Sequence, residues 1–128
     1  MKNKIKKQTL LSTLWVFVLF NMIFRDLHQF LANGYIEKMM SQEVSDVMLL
    51  LYGFILELPI LMVLLSRILN NKVNKWANMM VATVTMLGIL STLPSADLDD
   101  IFFGVIKVSA LIAILAIAWK LPSHQVVQ

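Results

Sequence analysis

Four long apolar runs divide the chain, and most of its charged residues stand in the gaps between them. Thr9 to about His28 gives the first run, with an extension to Leu31 open because Asn33-Gly34 is a natural helix stop. Val47 to Leu69 gives the second, Trp76 to Leu93 the third and Ile101 to Leu121 the fourth. A helix that crosses a bilayer takes about 20 mainly apolar residues. Each run is apolar on most faces, unlike the single stripe of a soluble amphipathic helix. None alternates as a barrel strand would. The pattern predicts an all-α fold, a four-helix transmembrane bundle of antiparallel, up-down helices, within one integral membrane domain over residues 1–128.

The gaps carry the next layer of information. Asn70 to Lys75 predicts a tight hairpin, and Pro94 to Asp100 a short acidic connection. The gap from about Ala32 to Asp46 is longer, and Tyr35 to Met40 within it predicts one amphipathic turn with Ile36 and Met39 toward lipid. Lys2, Lys4, Lys6, Lys7, Arg67, Lys72, Lys75 and Lys120 fall at one end of the predicted bundle. Arg25 and Lys38 fall at the other, among Asp26, Glu37, Glu43, Asp46, Asp97, Asp99 and Asp100. By the positive-inside rule both termini are expected in the cytoplasm of a cell bounded by a plasma membrane. Trp76 and Trp119 then sit at the inner boundary and Tyr35 near the outer one, as an aromatic belt requires. The Lys-rich start resembles the opening of a signal peptide, but the run behind it is too long and no small-x-small cleavage site follows, so an uncleaved first helix is expected.

Composition agrees and removes several functions. Of 128 residues 59% are hydrophobic and 15% charged, whereas soluble domains hold about 45–50% and about 25%. The basic residues form no stripe, so no nucleic-acid partner is expected despite a net charge of +3. The absence of cysteine removes disulfides, thiolate metal sites and cysteine nucleophiles. His28 and His124 are far apart along the chain, His28 reads as an exposed interfacial residue, and no metal site or cofactor is expected. No phosphate loop, dinucleotide-binding glycines, catalytic triad or paired carboxylates occur, and no internal repeat or matched pair of broken helices points to a transporter.

Candidate chemistry lies inside the runs. Glu57 stands ten residues from the outer edge of the second run, and Lys107 six residues into the fourth, depths of roughly 15 Å and roughly 9 Å at about 1.5 Å per residue. Asn21, Arg25 and His28 share one face of the first run. A lone charge at mid-bilayer costs about 2.5–3.5 kcal/mol and is commonly functional. Either Lys107 or Arg25 is a geometrically allowed partner for Glu57. Pro59 lacks an N–H and crowds the Ile55 carbonyl, so a kink beside Glu57 is expected. Gly53 and Gly104, one turn outward from Glu57 and Lys107, would let a helix or ligand approach. Thr85, Gly88 and Thr92 share a face and predict close packing rather than a relay, and Arg25 with Asp26 reads as interfacial snorkelling and capping.

Two stretches carry a family resemblance. They are Leu11 to Asp26 and, more specifically, Leu56-Glu-Leu-Pro-Ile-Leu-Met-Val-Leu-Leu-Ser-Arg-Ile-Leu69 with Asn74-Lys-Trp-Ala-Asn78. Together they resemble a family of small bacterial four-helix membrane proteins of unknown function. That resemblance implies a four-helix integral membrane protein and supplies no activity. A looser similarity in helix number links the chain to DoxX-like membrane proteins, some of which accompany quinone or thiosulfate oxidoreductases, too distant to transfer a function.

Three readings follow. The first is a polar site in the outer half that binds a small amphipathic ligand or a proton, with Glu57 at its centre, Lys107 and Arg25 as charge partners and Asn21 as a hydrogen-bonding neighbour. The second is a non-catalytic accessory or structural subunit whose buried charges fix helix packing, within a homo-oligomer or with a membrane partner. The third is a small proton-coupled exporter. An intramembrane enzyme ranks last, because no second acid, base or metal assembles near Glu57.

Overall fold

The computed structural model describes residues 6–95 and 97–122. Lys2, Lys4 and His124 therefore lie outside the described residues. Five helices follow in order: α1 (Lys7–Gln29), α2 (Tyr35–Ser41), α3 (Asp46–Ile68), α4 (Asn71–Ser91) and α5 (Leu98–Trp119), with a single 3-10 turn at Leu93–Ser95 before α5. Four of them, all but α2, are long and apolar enough to cross a membrane. No strand occurs among the described residues.

Local chemistry sets the ends. The side chain of Ser45 accepts a hydrogen bond from Met48 N–H to start α3, Asn70 accepts from Val73 N–H to start α4, and Asp97 accepts from Asp100 N–H to start α5. Each cap satisfies a backbone donor that the first helical turn leaves free. This is why α4 begins at Asn71 and α5 at Leu98, ahead of the apolar runs at Trp76 and Ile101. Hydropathy marks the hydrocarbon, whereas capping marks the helix, and here the helices outrun it. Gly34 adopts φ +79° between α1 and α2, a left-handed conformation that glycine takes without strain. The expected amphipathic turn is α2, with Ile36 and Met39 both exposed.

The charged residues separate by end. Lys6, Lys7, Arg67, Lys72, Lys75 and Lys120 lie at the start of α1, around the α3–α4 turn and at the end of α5, here called the basic end. Gln8 there donates to the Leu69 carbonyl at 3.2 Å and to Asn71 Oδ1 at 3.2 Å, and Lys75 Nζ stands 4.6 Å above the Trp119 ring. Asp26, Asp97, Asp99 and Asp100 mark the acidic end, where α1 finishes and α5 starts. Trp76 and Trp119 are both exposed near the basic end.

The core belongs to the basic half. Leu11, Trp15, Val18, Met62, Ala82, Leu111, Ile114 and Ala118 are essentially inaccessible. Buried positions on α3 run only from Pro59 to Ser66, and on α4 only from Asn74 to Ala82. Both sets adjoin the tight turn that joins the two helices. Every residue of α3 from Asp46 through Leu58 is exposed. Pro59 itself is buried, within an α3 that continues to Ile68.

A polar network is sealed inside this core. Trp15 Nε1 donates to Asn78 Oδ1 at 2.7 Å, and Ser66 Oγ donates to the same oxygen at 3.2 Å. Asn78 Nδ2 donates to the Asn74 carbonyl at 2.9 Å and to Asn74 Oδ1, and Asn74 Nδ2 donates to the Ser66 carbonyl at 2.7 Å. Ser12 Oγ donates to the Val63 carbonyl at 2.7 Å and accepts from Arg67 Nε at 3.2 Å. No buried side-chain donor or acceptor lacks a partner among the described residues. A fully satisfied network in a low-dielectric core fixes one arrangement, because any slip strands several groups together.

Candidate functional site

In the acidic half the four long helices border a half-open cavity of about 450 Å³. Leu19, Met22, Ile55, Leu56, Val84 and Ile89 supply apolar wall from three of them, and α5 adds Gly104. Arg25, Asp26, Asp100 and Lys107 supply charge, and Thr85 and Thr92 supply hydroxyls. Those hydroxyls already donate to carbonyls of their own helix, those of Val81 and Ile89.

Thr85, Gly88 and Thr92 were expected to pack closely against a neighbouring helix. They line the cavity instead, and a Cβ built on Gly88 meets nothing within 4 Å. The reason lies in where α3 and α4 touch. Their buried residues stay close to the shared turn, so the acidic halves leave space between them. Gly104 does give close approach, with Ile89 Cγ2 at 4.0 Å from its Cβ position, whereas Gly53 has nothing within 4 Å.

The charged wall is organised around Asp100. Arg25 Nε donates to Asp100 Oδ1 at 2.7 Å, and Arg25 Nη2 donates to the same oxygen. Arg25 Nη1 donates to Asp26 Oδ1 at 3.0 Å, and Gln29 Nε2 reaches Asp100 Oδ1 at 3.3 Å. Asp100 occupies the first turn of α5, and its N–H is capped by Asp97. A carboxylate in a first turn is favoured by the partial positive charge of the helix N-terminus. One turn along α1, His28 Nδ1 lies 3.1 Å from Asp99 Oδ2. Arg25 is thus a bridge between α1 and α5 rather than a free interfacial snorkeller. Lys107 is partly buried and, among the described residues, forms no ion pair.

The residues expected at one site are divided. Arg25 and Lys107 both line the cavity. Asn21 donates to the Phe17 carbonyl of its own helix at 2.9 Å and is not part of the lining. Glu57 is exposed and, among the described residues, pairs with neither Arg25 nor Lys107. Helical rotation gives the reason. Pro59 is buried, and a residue two positions away is turned by about 200°. With Pro59, Met62 and Ser66 facing the bundle, Glu57 faces away from it.

Asp100 was missed as the partner of Arg25, although Asp97-x-x-Asp100 before an apolar run is a readable helix start. The Trp15–Ser66–Asn74–Asn78 network was missed too. Its available signal was two asparagines four residues apart, entering an otherwise apolar helix.

Residues 1–125 match the family of unknown function DUF6326. The chain belongs to that family. No curated protein and no solved structure matches it, and a similarity to the DoxX-like proteins is not shown. Within this DUF6326 member, the two stretches that carried the resemblance contribute Trp15, Ser66, Asn74 and Asn78 to the buried network and Arg25 to the cavity wall.

Proposed function

We propose that this protein is a multi-pass protein of the plasma membrane that binds a small amphipathic ligand in the cavity of its acidic half. The acidic end faces outward and the Lys-rich end lies in the cytoplasm, so the site opens to the outer leaflet or the exterior. The partition of Lys and Arg between the two ends supports that orientation.

One observation carries the ligand reading: an apolar cavity among four membrane helices contains a cation without an ion pair among the described residues, Lys107. Pockets that bind small molecules typically measure about 300–1,000 Å³ and combine apolar walls with a few placed polar groups. Lys107 offers ammonium donors to the oxygen atoms of a headgroup. Arg25 is already committed to Asp100 and Asp26, so it shapes the wall and holds α5 against α1. Leu19, Met22, Ile55 and Ile89 receive the apolar portion of the ligand.

The test is retention of a native amphiphile. Wild-type protein and Lys107→Met, extracted in native nanodiscs, would be compared by mass spectrometry of bound small molecules. The expected result is an amphiphile enriched in the wild type and depleted in the variant at equal folded protein. Equal recovery from both would sink the reading. Fusions of a reporter active only in the cytoplasm to the C-terminus should be active, and inactivity would reverse the orientation.

A further inference from the structure

Two openings in the basic half share one residue, Arg67. The first is an open pocket of about 700 Å³ where the start of α1 meets the α3–α4 turn, and Lys6, Lys7, Arg67, Asn70 and Asn71 are among its lining. The second is an apolar furrow of about 460 Å³ between α1 and α3. Val16, Leu19, Phe20 and Ile23 line it together with Ile60 and Leu64, and Arg67 is its one polar residue. From Arg67 to Ile60 the furrow follows seven residues of α3 away from the basic end, roughly 10 Å at about 1.5 Å per residue.

The pocket offers donors and no acid. Neither opening has Asp or Glu in its lining. The chain holds no acid before Asp26, between Glu57 and Asp97, or after Asp100, so the basic end supplies its cations with no carboxylate side chain. Lys6, Lys7 and Arg67 form no ion pair among the described residues. Arg67 is also held in place: its Nε donates to Oγ of Ser12, a residue 2% exposed, while Nη1 and Nη2 make no hydrogen bond among the described residues. Two nitrogens on an anchored guanidinium match the paired oxygens of a phosphate. The side-chain oxygens of Asn70 and Asn71 are occupied by Val73 N–H and Gln8 Nε2, which leaves their amide N–H groups as further donors. A topology signal requires only cations at one end of the bundle. It requires neither an anchored guanidinium nor a furrow leading from it.

One molecule meets both openings, an anionic head on an apolar chain. A zwitterionic head would bring an ammonium group, for which the lining has no carboxylate. We propose that the basic end binds a glycerophospholipid of net negative head group, with its phosphate on Arg67, Lys6 and Lys7 and one acyl chain in the α1–α3 furrow. This site rests on the membrane reading alone, and uses neither the ligand of the other cavity nor the orientation.

The test is native mass spectrometry of the full-length protein in a neutral detergent. Dioleoyl phosphatidylglycerol should be retained at least about tenfold better than dioleoyl phosphatidylcholine, as several interfacial cations near one anionic head require. Equal retention of the two lipids would overturn the proposal, and so would displacement of phosphatidylglycerol by an equal concentration of inorganic phosphate, which would make the ligand a soluble anion. Lys6 and Lys7 are exposed at the start of α1, so replacing them leaves the bundle intact. The Lys6→Gln/Lys7→Gln protein should lose retention by about tenfold or more. Lys72→Gln/Lys120→Gln removes the same charge from the same end but outside the pocket lining, and should lose less than about threefold. Equal losses in the two doubles would reduce the site to diffuse attraction. Lys107→Met should retain the lipid as the wild type does, and a loss there would move the lipid to the other cavity. Phosphatidylglycerol with a photoreactive acyl chain should label α1 and α3 along the furrow, and labelling spread evenly over α4 and α5 would refute the chain's placement.

Discussion

The two halves of this bundle hold polar groups in opposite ways. At the basic end Trp15, Ser66, Asn74 and Asn78 are fully buried, uncharged and mutually satisfied. At the acidic end the polar groups are charged, partly exposed and arranged around a space. A sealed neutral network can only be broken by substitution. A charged wall beside a cavity still has bonds to offer. Burial and vacancy together, rather than polarity alone, separate the neutral network that holds the helices from the charged wall beside the cavity.

The sharpest way to break this comparison is Asn78→Leu. It strands the Trp15 indole N–H and the Asn74 side-chain oxygen inside the core. Because a stranded buried group costs about 1–3 kcal/mol, the variant should lose about 2–3 kcal/mol of stability, read by reversible unfolding in mixed micelles. A loss as small as that of a surface variant would mean that the network does not lock the fold.

A paired enlargement comes next. Ala82 is inaccessible in the core, so Ala82→Leu overpacks it and should cost about 1–3 kcal/mol. The same enlargement at Gly88 projects into the cavity. Gly88→Leu should leave the unfolding midpoint unchanged or higher, since glycine weakens a helix by about 1 kcal/mol, while it expels the bound amphiphile. If both enlargements destabilise equally, the acidic half is packed like the basic half.

Smaller effects separate the two cavity cations. Asp100→Asn leaves Arg25 with Asp26 as its remaining ion-pair partner. Since that group is partly exposed, the expected loss is about 1 kcal/mol, with greater protease sensitivity where α1 meets α5. Lys107→Met should change stability least, within about 0.5 kcal/mol, and change ligand retention most. The reverse ranking would make Lys107 a packing residue.

Much of this was legible in the linear pattern. The four long helices, the amphipathic turn between the first two, the presence of a tight turn between α3 and α4 and the division of charge by end all follow from local properties, although α4 already begins at Asn71 within the stretch read as the hairpin. Hydrophobic runs, caps and turns act over a few residues, and a bilayer penalises any other arrangement. Arg25 and Lys107 were likewise visible as expensive charges within apolar segments.

The partners of those charges were not legible. Glu57, Arg25 and Lys107 differ in depth by no more than a long side chain can span, and depth alone allows several pairings. The choice depended on rotation: the burial of Pro59, Met62 and Ser66 turned Glu57 outward, and the run of α1 alongside the start of α5 gave Arg25 to Asp100. The buried asparagines were equally silent, because their chemistry becomes specific only when Trp15 and Ser66 arrive from other helices. Composition and periodicity by themselves determined that this chain forms four helices long and apolar enough to cross a membrane, since the length and polarity of each segment decide that on their own. Which charge meets which, and where a cavity remains, was decided by tertiary packing, because both depend on how whole helices rotate and diverge against one another.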